Sequence, residues 1–160
     1  MFLADDAVTT LPFPGPMSSS NTVLEQSNRV FVGRYAHAFG ANASTIGMLV
    51  TSRSGESYRN EVAGIDGRIR ISDRHNVRFQ YLDSETEYPQ EVAVRFDQPQ
   101  GVFGGDGLSI QYDFDSREWW ADASFDKANS GFRADSGFVA AERRALHRLL
   151  GPLHRRRSLR

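Results

Sequence analysis

Between Leu108 and Phe114 apolar and polar residues alternate one for one: Leu108, Ile110, Tyr112 and Phe114 against Ser109, Gln111 and Asp113. After a short break the alternation resumes, with Trp119, Ala121, Ala123 and Phe125 set against Trp120, Asp122, Ser124 and Asp126. A period of two puts the two sets on opposite faces of a strand. The same period runs upstream. Phe31, Tyr35 and Phe39 share a parity, as do Ile46, Met48 and Val50. Ala63, Ile65, Gly67, Ile69 and Ile71 stand opposite Asp66, Arg68 and Arg70, and Val77, Phe79 and Tyr81 stand opposite Arg78 and Gln80. The pattern predicts six strands, at about 29–39, 44–53, 59–72, 76–85, 107–115 and 118–127.

The segments between them carry turn chemistry. "GANA" (40–43) and "SDRHN" (72–76) read as short turns, "SGESY" (54–58) as a longer loop, and a very long connection spans roughly 84–106 with Pro89, Pro99 and "GVFGGDG". Its "GGDG" (104–107) reads as a flexible turn, since one such segment offers too few oxygens for calcium. Antiparallel pairing requires apolar positions to face one another. Setting Phe114 against Trp119, Ile71 against Val77 and Phe39 against Ile46 closes three hairpins with matched apolar faces. The predicted architecture is all-β: an up-and-down antiparallel meander of about six strands. Strands of roughly nine to twelve residues, with one apolar and one charged face, suit a curved part of an outer-membrane-type β-barrel. A half-buried soluble sheet alternates in the same way, so the period alone leaves both environments open.

Composition narrows little. The chain has 160 residues, a formal net charge of −1 and no cysteine. The charge balance gives no field for nucleic acid, and the absence of cysteine excludes disulfides and thiolate metal sites. No apolar run reaches the length of a membrane helix. "MFLADDAVTTLPFPGP" lacks the basic and apolar regions of a secretory leader. Residues 1–27, with Pro12, Pro14 and Pro16, read as an irregular arm. Residues 28–139 form the strand-bearing part, and 140–160, "AAERRALHRLLGPLHRRRSLR", a basic tail or short helix.

Candidate chemistry sits on the polar parity. Arg34, Asp66, Arg68, Asp113, Trp120 and Asp122 are the lumen-facing candidates for a polar ligand. Asp66 beside Arg34 and Arg68 also reads as an ion-pair network holding that face together. Asp113, Asp115 and Glu118 crowd a hairpin tip, and Asp113 shares a face with Asp122. Paired carboxylates are the groups of glycoside hydrolysis, but acids around a tight turn are more often solvated turn formers. Trp119 suits an aromatic girdle at a membrane interface, and Trp120, on the other face, suits stacking on a sugar. His37, His75, His147 and His154 show no zinc spacing, and His37 reads as a packed or lumen residue. No cofactor, metal site or catalytic residue is assigned.

The stretch "FVGRYAHAFGANASTIGMLVTSRSGESYRNEVAGIDGRIRIS" and the later "SIQYDFDSREWWADASFDKANSGFRADSGFV" resemble the domain of unknown function family 5916. The matching elements are Gly33-Arg34, "TIG" (45–47), Arg53, "VAGIDGR" (62–68) and "FRADSGFV" (132–139), over roughly residues 28–139. The resemblance implies an outer-membrane β-barrel of a Gram-negative bacterium, which in longer relatives follows a module similar to family 9 carbohydrate-binding domains. It implies location and architecture, with outer-membrane lipid as the surroundings and carbohydrate as an associated partner. It implies no activity. Family domains are several times longer, so this chain reads as a truncated or frame-shifted fragment. Six strands are fewer than a single-chain barrel needs, which leaves open sheet edges for association. The function read from the sequence is thus a non-enzymatic fragment of an outer-membrane barrel. A soluble antiparallel sheet domain binding a ligand or partner is the alternative, and a carbohydrate-active hydrolase the third.

Overall fold

The computed structural model describes residues 2–6, 9–13, 20–24, 27–135 and 145–152. The expected meander is there. It comprises β4 (Asn28–Phe39), β5 (Ser44–Ser54), β6 (Arg59–Arg70), β7 (His75–Glu87), β8 (Val102–Asp115) and β9 (Trp119–Ala128). Each strand pairs antiparallel with the next. The fold is an all-β, up-and-down meander that does not close, a sheet of the partial-barrel kind.

Two expectations about the ends are corrected. The supposed irregular arm contains β1 (Phe2–Asp6), β2 (Thr9–Phe13) and β3 (Ser20–Leu24), and the supposed tail or helix contains β10 (Ala145–Pro152). β1 pairs with the first residues of β4, and β10 runs along β9, so the sheet has eight strands in the order β1-β4-β5-β6-β7-β8-β9-β10. The physical reason is backbone demand. An edge strand presents a row of unpaired N–H and C=O groups, and a neighbouring segment gains by pairing with them even without strong alternation. β2 and β3 form a separate hairpin.

All three hairpin registers differ from expectation by two residues. Phe39 faces Ser44, Ile69 faces Val77 and Phe114 faces Ala121. The turns decide this through their own hydrogen bonds. Ala43 N donates to Gly40 O with both residues at positive φ, His75 N donates to Ser72 O, and Ser116 N donates to Trp119 O. A slip of two keeps every side chain on its face, so the expected faces survive. The β5–β6 connection shrinks to residues 55–58. The long one becomes residues 88–101 and holds the short helix α1 (Gln90–Arg95). "GGDG" is not a turn: Gly104–Gly107 lie inside β8.

The registers define two faces. Tyr35, Met48, Ile65, Tyr81 and Leu108 form one cross-strand row, and His37, Ile46, Gly67, Phe79, Ile110 and Phe125 form the next. This apolar face is mostly uncovered. Tyr35 is 65% exposed, Met48 57% and Ile65 45%. His37 shares this face and is exposed, which corrects its reading as a packed or lumen residue. Towards the other end the same face turns charged, with Arg59, Glu61, Asp83, Glu85 and Glu87, while the opposite face carries Arg34, Asp66, Arg68, Arg78, Asp113 and Asp122, with the core at one end of it. There Leu11, Tyr58, Tyr88, Val92 and Ala93 are buried, with Phe96 and Phe103 packed against them.

Candidate functional site

The polar face has two zones. In the first, near the turns at 71–74 and 116–118, cross-strand rows bring charges together. Arg68 faces Arg78 directly, an arrangement that like charges disfavour. Arg78 is drawn aside instead, donating to Asp113 Oδ2 at 3.0 Å. Asn76 Nδ2 donates to the same oxygen at 3.2 Å. Asp113 also faces Asp122. The two carboxylates are bridged by Gln111 Nε2, 3.2 Å from Asp113 Oδ1 and 3.0 Å from Asp122 Oδ2. These acids are thus fastened to one another by donors on β7 and β8. Asp115 and Glu118 point out at the tip and are exposed.

Arg34 pairs with Asp66 across β5. Arg68, Asp66 and Arg34 therefore share one face with Asp113, Asp122 and the half-buried Trp120, as the alternation requires. Trp119 lies on the apolar face at its strand's start, 57% exposed. The candidates form a spread of charged pairs along a face. Among the described residues, no group of three or more His, Asp and Glu side chains is placed to hold a metal.

The second zone was missed by sequence reasoning. Residues 129–135 leave β9 and cross the polar face, meeting β8, β7, β6 and β5 in turn. Asn129 N donates to Asp106 O. Phe132 is buried, its ring beside Gly107. Arg133 N donates to Ser84 Oγ at 3.0 Å on β7, and Asn60 Nδ2 on β6 donates to Arg133 O at 3.1 Å. Asp135 N donates to Asn60 Oδ1 at 3.1 Å, and Arg53 on β5 reaches Asp135 O. The crossing needs bare backbone: a Cβ on Gly105 would collide with the backbone of Phe132, and one on Gly131 with Gly104 O.

Asp135 sits at the focus of this zone. Tyr58 Oη donates to its Oδ2 at 2.8 Å, and Tyr88 Oη lies 3.1 Å from the same oxygen. The residue as a whole is half-buried, but both tyrosines are fully buried, stacked with ring centroids 6.0 Å apart. Burial holds the Asp135 carboxyl above the usual carboxylate range, against the tyrosine hydrogen bonds and the charges of Arg133 and Arg53, which lower it. Both tyrosine hydroxyls are pushed up, by burial first and then by the neighbouring carboxylate. Arg53 Nε and Arg133 Nε are buried without a partner. A cleft of about 500 Å³ opens beside the tyrosines between the 55–58 turn and the 88–101 connection, with Ser57, Arg59, Gln90 and Gln100 among its walls. The signal that could have found this zone was "FRADSGFV", noted for resemblance and not for chemistry.

Fold and site together define an open antiparallel β-sheet protein with one exposed apolar face and one polar face that is partly bridged over. No family model, curated protein or solved structure matches the chain.

Proposed function

We propose that this chain is part of the wall of an outer-membrane β-barrel of a Gram-negative bacterium, with a structural or passage role and no catalytic one. The observation that carries the reading is the uncovered apolar band of Tyr35, Ile46, Met48, Ile65, Tyr81 and Ile110, which lies on one side of the sheet and gives way to charges only near the strand ends at Arg59 and Glu87. A monomer in water rarely leaves so continuous an apolar surface bare. Lipid is the surrounding that such a face suits, and a polar lumen suits the other. Strands of 10 to 14 residues are long enough to cross tilted. No helix among the described residues is long and apolar enough to cross, which says nothing of strands. The resemblance supports the same location, and any tie to carbohydrate comes with the resemblance only.

The alternative is a soluble sheet domain that binds a partner. The packed core under α1 favours it, because it gives the polar face a buried centre of its own. Flotation with phospholipid vesicles after refolding separates the two. The barrel reading expects the chain to float and to resist alkaline extraction. A monodisperse monomer in detergent-free buffer that stays at the bottom of the gradient would sink it.

A further inference from the structure

We infer that residues 129–135 are a strap that plugs one end of the polar face, with Asp135 as its latch. The functional part of this rests on the barrel reading, in which the polar face lines a lumen. The geometry distinguishes a strap from an ordinary connection between strands. A connection turns back at the sheet's end, but this segment passes over its own neighbour β8 at Gly105 and Gly107 and is tied to β7, β6 and β5 in turn. Its ties come from side chains of the polar face: Ser84, Asn60 and Arg53 fasten its backbone, while Tyr58 and Tyr88 hold its one carboxylate. Arg133 Nη2 adds a bond to Gln98 Oε1 at 2.7 Å, joining the strap to the connection that carries α1.

The strap also explains which polar-face residues are shielded. Asn60 and Ser84, which hold the strap, are buried, as is Thr86, whose Oγ1 accepts from Asn60 Nδ2, whereas Gln80, further along the same face, is exposed. A small solute moving along the polar face would meet open charged rows at one end and a closed, hydrogen-bonded floor at the other. Beyond the backbone bond of Asn129 to Asp106, the segment is attached through side-chain contacts and has no strand ladder of its own, so it can lift without unpairing the sheet. Such local opening lies at the low-stability end of a structure's range.

The chain has no native cysteine, so single engineered thiols report accessibility cleanly. Thr86→Cys sits against Asn60, the side chain that ties the strap at two points, and Gln80→Cys lies outside it. Labelling of the full chain by a water-soluble maleimide, in vesicles or in buffer, should be slow at position 86 and fast at position 80. Adding Asp135→Ala should speed labelling at 86 by about tenfold or more, the scale of a lost buried hydrogen-bond set, and leave 80 unchanged. Tyr88→Phe, which removes one donor, should speed 86 by a smaller factor. Equal rates at 86 and 80 in the parent chain would overturn the proposal. Equal acceleration at both positions in Asp135→Ala would do so too, because the segment would then be a structural member of the sheet. Failure of the chain to float with vesicles leaves these readouts intact and counts against the barrel reading alone.

Discussion

Arg34 and Asp66, on strands that are not neighbours, join as an ion pair over the intervening β5. The residue beneath them is Gly47, directly opposite Asp66 in the β5–β6 ladder. A Cβ there would stand 2.8 Å from Asp66 Oδ1 and 3.1 Å from Tyr35 O. Glycine is thus what lets one side chain span two strands.

From this follows a contrast between size and charge. Gly47→Val should destabilise by about 1–3 kcal/mol, the usual range for overpacking a fitted site. Asp66→Asn should lower stability by at most about 1 kcal/mol, since Arg34 is half in solvent. Denaturant melts of the three proteins would measure both. A larger loss for Asp66→Asn would mean that the charge pair, and not the packing, holds this region.

Adjacent residues on β8 test the lipid face. Ile110 is exposed on the apolar side, next to Phe79 and Phe125 in its row, while Ser109 lies between Gln80 and Asp126 on the polar side. In lipid, Ile110→Arg should cost about 2–4 kcal/mol, and Ser109→Arg far less because it meets acids and water. Folding titrations into vesicles decide it, and equal penalties would remove the assignment of faces to lipid and lumen.

Stability of the strap should fall as pH rises. A carboxyl whose folded pKa is raised holds its proton more tightly in the folded state, so its contribution is complete below the unfolded value of about 3.9 and lost as pH climbs through the folded one. Groups facing Asp135 are Tyr58, Tyr88, Arg53 and Arg133. Asp135→Asn keeps an acceptor for the tyrosines and cannot ionise. Its stability relative to the parent should therefore improve from about pH 4 upward and level off once Asp135 has ionised in the folded parent. Protection factors at residues 132–135, compared at several pH values, give the readout, and a difference that does not vary with pH would refute it.

Alkaline titration should show two late tyrosines. Tyr58 and Tyr88 are held above the usual phenol range of about 10 by burial and by Asp135. Absorbance near the phenolate band should show them ionising only together with unfolding. Tyr88→Phe should remove about half of that late step, and an unchanged amplitude would mean that its hydroxyl is not enclosed.

Much of the architecture was legible in the chain. The period of two in 108–125 and its upstream counterparts placed Tyr35, Met48, Ile65 and Ile110 together on one face, and Arg34, Asp66, Arg68, Asp113, Trp120 and Asp122 on the other. Those placements depend only on strand geometry, in which side chains alternate whatever the partner. They even survived hairpin registers misjudged by two residues, because a shift of two returns each residue to its own side.

Other features depended on relations that no local pattern carries. The register at Phe39 and Ser44 was set by the backbone bonds of the 40–43 turn. The strands at Phe2–Asp6 and Ala145–Pro152 exist because β4 and β9 offer edges to pair with, a demand that belongs to the neighbour and not to the segment itself. Asp135 acquires its role from Tyr58, 77 residues earlier, and from glycines on β8 that allow the chain to pass over it. In sequence Asp135 is one acid among many. Only the crossing of the strap over the sheet encloses its carboxyl, because burial is a property of what the rest of the chain places around a group. The alternation decided the faces by itself, and the tertiary structure decided which part of the polar face would be covered.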